Sequence, residues 1–133
     1  MAPTLFPPGS QRAVVASDAL AFLVFAAIGQ LSHHGDVTAA GLARDAGPLL
    51  AGWFAVALVA RTYRRPGRRT LLAAWALGVP AGVLLRALLL GRSLDHHEAA
   101  FLGTTLAFGA AFVLAGRALV GLVATRGALH GRR

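Results

Sequence analysis

The chain has 133 residues, is 56% hydrophobic and only 14% charged, contains no cysteine and carries a net charge of +8. Soluble domains run nearer about 45–50% apolar and about 25% charged, and here the apolar excess is gathered into blocks, which argues against a water-soluble core. The absent cysteines exclude disulfides, thiolate nucleophiles, cysteine-bound iron–sulfur clusters and thioether-linked haem.

Residues 1–11 hold Pro3, Pro7, Pro8 and Gly9 and read as a short extended arm. Four long apolar stretches follow, at residues 13–31, 47–63, 71–90 and 99–124. A hydrocarbon core about 30 Å thick is crossed by about 20 apolar helical residues rising about 1.5 Å each. Each stretch therefore predicts a membrane span. The fold class is all-α: a polytopic membrane protein, with residues 1–133 forming one domain of four transmembrane helices in a bundle.

The first stretch begins after Arg12 and ends near Ala26, Ala27 and Gly29, as a signal peptide would. Asp18 early in the run and the uncharged residues 1–11 argue for a retained span instead. Ser32, His33, His34 and Gly35 then break the helix. The loop at residues 32–46 is the longest connection, and its 38–44 portion predicts one interfacial helical turn with Thr38 as cap. Pro48 is expected in the first turn of a short second helix, where a missing N–H costs nothing. Tyr63 suits the interfacial end of that helix.

Pro66 and Gly67 turn an arginine-rich loop into the third helix, with Trp75 near the arginine-rich interface. Gly78 and Gly82 flank Pro80; the glycines permit close backbone approach, and the proline frees a carbonyl and bends the helix. The fourth helix carries Ala99, Gly103, Ala107, Ala111 and Ala115 at four-residue intervals, a ridge that predicts a tightly packed helix–helix face.

Orientation follows from the arginines. With a cytoplasmic N-terminus the inner side receives Arg12, Arg61, Arg64, Arg65, Arg68, Arg69, Arg126, Arg132 and Arg133, and the outer side only Arg44 and Arg92. Cytoplasmic loops accumulate Arg and Lys, so the expected location is the plasma membrane, multi-pass, with both termini cytoplasmic. The same clustering between spans makes the lipid bilayer, not nucleic acid, the partner of the positive charge.

Three ionisable residues fall within the spans: Asp18, Arg86 and Arg117. A charge at mid-bilayer costs about 2.5–3.5 kcal/mol, so such residues meet a partner or a watery cavity. Asp18 lies about 9 Å along its helix from the inner boundary and Arg117 about 13 Å from the same boundary, which predicts an Asp18–Arg117 ion pair. Arg86, about 6–8 Å below the outer end of its helix, is expected to snorkel to the interface.

His33, His34, Asp36, Asp95, His96, His97 and Glu98 gather on the outer side. Imidazoles and carboxylates suit zinc, and two imidazoles suit haem. Yet adjacent helical residues point about 100° apart, and no His-x-x-x-His pair exists. The cluster reads first as interfacial and solvated, with Asp95 and Glu98 complementing the dipole of the fourth helix. Metal ligation is left open, no cofactor is expected, and no hydrolase elbow, phosphate loop or catalytic carboxylate pair argues for an enzyme.

Three functional classes remain: a small transporter or channel-like protein with a polar intramembrane site for a small solute or ion, working as a homo-oligomer; a non-catalytic membrane assembly subunit; and a haem- or metal-binding redox subunit.

Taken in order, Asp18, Phe25, Gly29, Ser32, His33, Gly47, Pro48, Gly52, Trp53, Trp75, Gly78, Pro80, Gly82, Arg86, Phe101 and Arg117 carry a likeness. The chain resembles the domain of unknown function 3054 family, small prokaryotic membrane proteins of unassigned activity, and departs from its pattern at Gln30 and Gly116. The resemblance implies a four-helix membrane fold, directs attention to Asp18, His33, Arg86 and Arg117, and supplies no reaction.

Overall fold

The computed structural model describes residues 5–7 and 9–132; Pro3 and Pro8 of the expected arm, and Arg133 of the charge count, lie outside the described residues. Helix α1 spans Gln11–His34, α2 Ala39–Val59, α3 Arg68–Leu89 and α4 His96–His130. All four are long and apolar enough to cross a membrane, and no strand is present among the described residues. This is an integral membrane protein. Helices α1 and α3 run from the arginine-rich end to the histidine-rich end, and α2 and α4 return.

The helices close a ring in which α1 packs on α2, α2 on α3, α3 on α4 and α4 back on α1. The core between them holds Phe22, Leu49, Trp53, Val79, Val83 and Val113, with the Phe22 and Trp53 rings tilted at 5.2 Å. Outward, Leu58, Val59, Leu88 and Leu89 are left exposed by the bundle. That apolar exterior is stable only against hydrocarbon, where leucine gains nothing by turning inward.

Glycine brings α2 and α3 together. A methyl on Gly52 would come within 2.5 Å of the Gly82 Cα and 2.6 Å of the Gly78 carbonyl oxygen, and one on Gly82 within 2.8 Å of the Leu49 Cα. The two backbones therefore touch where side chains would ordinarily separate them. In α3, residues Ala74–Gly78 form a π-helical turn that ends two residues before Pro80. Proline cannot donate to the preceding turn and its ring crowds that turn's carbonyl; the wider turn accommodates it without ending the helix.

Helix ends differ from the sequence reading. The second helix starts at Ala39, not near Gly47: Thr38 caps it, its side chain accepting from the Gly41 N–H at 3.0 Å, and the expected interfacial turn simply continues. Pro48 consequently lies inside α2, not in its first turn. The same helix ends at Val59, before Tyr63. The described part of the leader is folded back, with Pro7 buried and the Phe6 ring 5.8 Å from the Arg117 guanidinium carbon.

The ridge Ala99, Gly103, Ala107, Ala111 and Ala115 faces outward; α4 packs instead through Thr105, Gly109, Val113, Arg117 and Gly121. Both sets repeat every four residues, and the sequence favoured the smaller side chains. The bundle uses the face that carries Arg117, because that charge must reach a partner.

Three helices close through a residue in the left-handed region: Gly35 (φ 79) after α1, Gly91 (φ 60) after α3 and Arg61 (φ 56) after α2. After α2 the N–H of Thr62 reaches the Ala57 carbonyl at 2.9 Å and that of Arg61 the Leu58 carbonyl at 3.1 Å, a Schellman closure. Glycine is the usual residue there, and a side chain in this region costs about 1–3 kcal/mol.

Gly52→Ala is expected to lower stability by about 1–3 kcal/mol through overpacking, read as a reduced melting temperature in detergent. Gly103→Ala, whose methyl meets nothing within 4 Å, is the control that stays within error of the parent.

Candidate functional site

The intramembrane charges form two clusters at different depths. Nearer the arginine-rich end, Arg117 of α4 faces Asp18 of α1 across the bundle. Its Nε donates to Asp18 Oδ1 at 2.9 Å and its Nη2 to Oδ2 at 2.6 Å, a two-pronged contact. Both side chains are almost wholly buried. Tyr63 donates its hydroxyl to the same Asp18 Oδ2 at 2.7 Å, and the indole N–H of Trp53 donates to the Tyr63 oxygen at 3.0 Å.

Tyr63 reaches Asp18 because the Schellman closure at Arg61 turns the chain back beneath the bundle. Sequence reasoning placed this tyrosine at the interface; the structure turns its hydroxyl inward. Trp75 is redirected similarly, its indole N–H donating to the Leu106 carbonyl at 2.9 Å and tying α3 to α4.

Nearer the histidine-rich end, Arg86 of α3 does not snorkel. Its side chain is only 8% exposed and lies between two carboxylates. Asp45 of α2 accepts from Arg86 Nη2 at 3.2 Å and from Nε at 3.4 Å. Glu98 of α4 approaches Arg86 Nη1 and Arg92 Nη1, each at 3.5 Å. The Phe101 ring lies 4.3 Å from the Arg86 guanidinium carbon, a cation–π contact. Gln30 of α1 joins the cluster, its amide donating to Asp45 Oδ2 at 3.4 Å while its carbonyl oxygen accepts from the Thr38 N–H.

Asp45 and Gln30 were missed in the sequence. Placing the start of the second helix at Gly47 left Asp45 in a loop; the signal that finds it is the Thr38 cap, from which a helix running through Pro48 puts Asp45 on the bundle's inner side. Snorkelling fails for Arg86 because Asp45 and Glu98 approach its guanidinium at 3.2 and 3.5 Å within the bundle.

Hydrogen bonding in this cluster is incomplete. Arg86 Nη1 and Glu98 Oε2 are buried and make no hydrogen bond. The approach of Nη1 to Glu98 Oε1 is a charge contact without hydrogen-bond alignment. Both residues line a cleft of about 860 Å³ that reaches the histidine-rich end, where His33, His34 and His97 also line it. Arg86 and Glu98 thus lie side by side among the residues that line the cleft, their unbonded atoms buried behind its surface.

The other outer residues divide. Asp95 caps α4, accepting from the backbone N–H of His97 at 2.9 Å and Glu98 at 3.3 Å. The N–H of Glu98, then that of His97, holds the Asp95 carboxyl below the usual carboxylate range. The cap is therefore fully formed above the ordinary carboxylate pKa and is lost as pH falls through the lowered folded value. Glu98 does more than complement the dipole, being buried against two arginines. His96 and His97 stack with ring centroids 4.1 Å apart, and Asp36 is exposed away from the cleft. Among the described residues no three His, Asp or Glu side chains gather closely enough to hold a metal ion.

Among known protein families, the one described as protein of unknown function (DUF3054) matches residues 15–120 of the chain. No curated protein and no solved structure matches the chain.

Asp18→Asn is expected to destabilise the bundle by about 3–5 kcal/mol, because Arg117 stays buried without its charge partner. Tyr63→Phe removes one bond to a charged acceptor and should cost about 1.5–3 kcal/mol. Replacing Asp18 and Arg117 together by leucine recovers most of the loss. Thermal unfolding of the three purified variants in detergent checks this order.

Proposed function

The chain belongs to the DUF3054 family, and from its own residues we propose that it is a small transporter or channel-like protein of the plasma membrane. Its cleft on the histidine-rich side takes a small polar solute that carries both a hydrogen-bond acceptor and a donor. The observation that carries this reading is a pair of buried, unbonded atoms, Arg86 Nη1 and Glu98 Oε2, in two adjacent residues that line that cleft. Buried polar groups without partners are costly; a solute with a carboxylate or carbonyl for the arginine and an N–H or O–H for the glutamate satisfies both. Asp45 and Phe101 fix the Arg86 fork, so its remaining donor is preorganised for such a group.

The Asp18–Arg117–Tyr63 cluster closes the opposite half of the bundle. Its atoms are bonded to one another, so passage through that half requires the pair to separate. The orientation places the arginine-rich end and both termini in the cytoplasm, supported by the distribution of arginine. The same closed pair supports a second reading, an assembly subunit in which Asp18 and Arg117 only set helix register.

Proteoliposomes supplied with radiolabelled glycine and acetate test the first reading. Uptake of either probe is expected, with Arg86→Gln and Glu98→Gln each reducing it at least about tenfold, the loss of one charged hydrogen bond. Ala100→Phe narrows the cleft without touching an ion pair and should also block uptake. Absence of uptake and of any thermal shift by both probes overturns the reading, and a stoichiometric membrane protein co-purifying with the chain then favours the second.

Because the chain lacks cysteine, Gly67→Cys in the arginine-rich turn reports orientation directly. An impermeant maleimide should label it only after permeabilisation, and labelling of intact cells overturns the topology.

A further inference from the structure

A second cleft, of about 730 Å³, opens sideways between α1 and α2 at the arginine-rich end. Its wall is apolar, with Val15, Ala19, Phe54 and Leu58, and its mouth carries Arg12, Arg61 and Arg64. All three arginines are exposed, and among the described residues none forms an ion pair.

Among the described residues no acidic side chain pairs with them. Its five acidic residues are Asp18, Asp36, Asp45, Asp95 and Glu98. Asp18 is saturated by Arg117 and Tyr63. The other four lie toward the histidine-rich end, about one helix length away at about 1.5 Å per residue. Three exposed cations, Arg12 of α1 and Arg61 and Arg64 of the turn after α2, thus converge on one cleft with no acidic side chain paired to them.

A second observation concerns Arg61 itself. The two other helices that close through a left-handed residue use glycine, Gly35 and Gly91, whereas α2 uses Arg61. Glycine at this position would relieve backbone strain. Instead the chain holds an arginine there, and the turn sets it on the rim of the cleft.

We propose that this cleft binds one anionic phospholipid, its phosphate held by Arg12, Arg61 and Arg64 and an acyl chain lying along the apolar wall between α1 and α2. The guanidinium fork matches phosphate oxygens in pairs, and the exposed Leu58 continues the wall toward the surrounding hydrocarbon. An amphiphile with a negative head fits both halves of the cleft; a free anion uses only the rim. The proposal stands apart from the solute reading, since it involves no residue of the histidine-side cluster.

The test uses the full chain in detergent micelles, titrated with dioleoylphosphatidylglycerol, dioleoylphosphatidylcholine or inorganic phosphate. Thermal unfolding and native mass spectrometry are the readouts. Phosphatidylglycerol should raise the melting temperature and remain bound at one per chain, and the other two should do neither at equal concentration. Arg61→Gln and Arg64→Gln should each weaken binding roughly fivefold, with Arg126→Gln, beyond the cleft on α4, unchanged. Ala16→Phe fills the wall without altering charge and should also abolish retention.

Arg61→Gly separates strain from recognition. It should raise the melting temperature of the lipid-free protein and lower phosphatidylglycerol affinity, opposite signs that a purely structural arginine would not produce. Equal retention of phosphatidylcholine, equal stabilisation by inorganic phosphate, or an Arg126→Gln loss matching that of Arg61→Gln overturns the proposal. So does undiminished binding by Ala16→Phe.

Discussion

A charged side chain inside a bilayer has no water to share its field with, and a hydrophobic wall offers it nothing in return. Asp18, Arg86 and Arg117 all lie in membrane-spanning helices, and each meets an opposite charge from a neighbouring helix. Those contacts dictate which faces turn inward. Helix α4 presents Arg117 and Thr105 to the bundle, leaving the ridge of Ala99, Gly103, Ala107, Ala111 and Ala115 outside, because leaving alanine against lipid costs little and leaving an arginine there costs a great deal.

The two charged clusters solve the same problem differently. Around Asp18, guanidinium and phenol bonds close on the carboxylate and leave no exposed edge. Around Arg86, two carboxylates and a phenyl ring share one cation, with the Gln30 amide bonded to Asp45, yet a donor and an acceptor remain unbonded in residues that line a cleft. Completeness makes the first a lock between α1 and α4. The second leaves Arg86 Nη1 and Glu98 Oε2 without hydrogen bonds.

Backbone contact lets such a small bundle hold these charges in register. Gly52, Gly78 and Gly82 press α2 against α3, and that approach sets Asp45 within reach of Arg86. The π-turn before Pro80 adds one residue to the helix path and so changes which later residues face inward, Arg86 among them. Close packing and electrostatics are therefore one constraint: separating α2 from α3 by the thickness of a methyl group would also lengthen the Asp45–Arg86 contact.

Much of this was determined by the order of residues alone. Hydropathy and length set four spans, because lipid rewards apolar runs regardless of neighbours. Arginine placement argued an orientation, and depth counted along two helices brought Asp18 level with Arg117. Tertiary structure alone decided the rest. Helix α2 runs through Pro48 because the Thr38 cap, the Gln30 contact and the packing on α3 outweigh one missing hydrogen bond, and no local propensity registers those gains. With that helix extended, Asp45 joins Arg86 and Glu98; with the chain turned at Arg61, Tyr63 meets Asp18. Both outcomes depend on distances between elements far apart in the chain, which periodicity and composition do not encode.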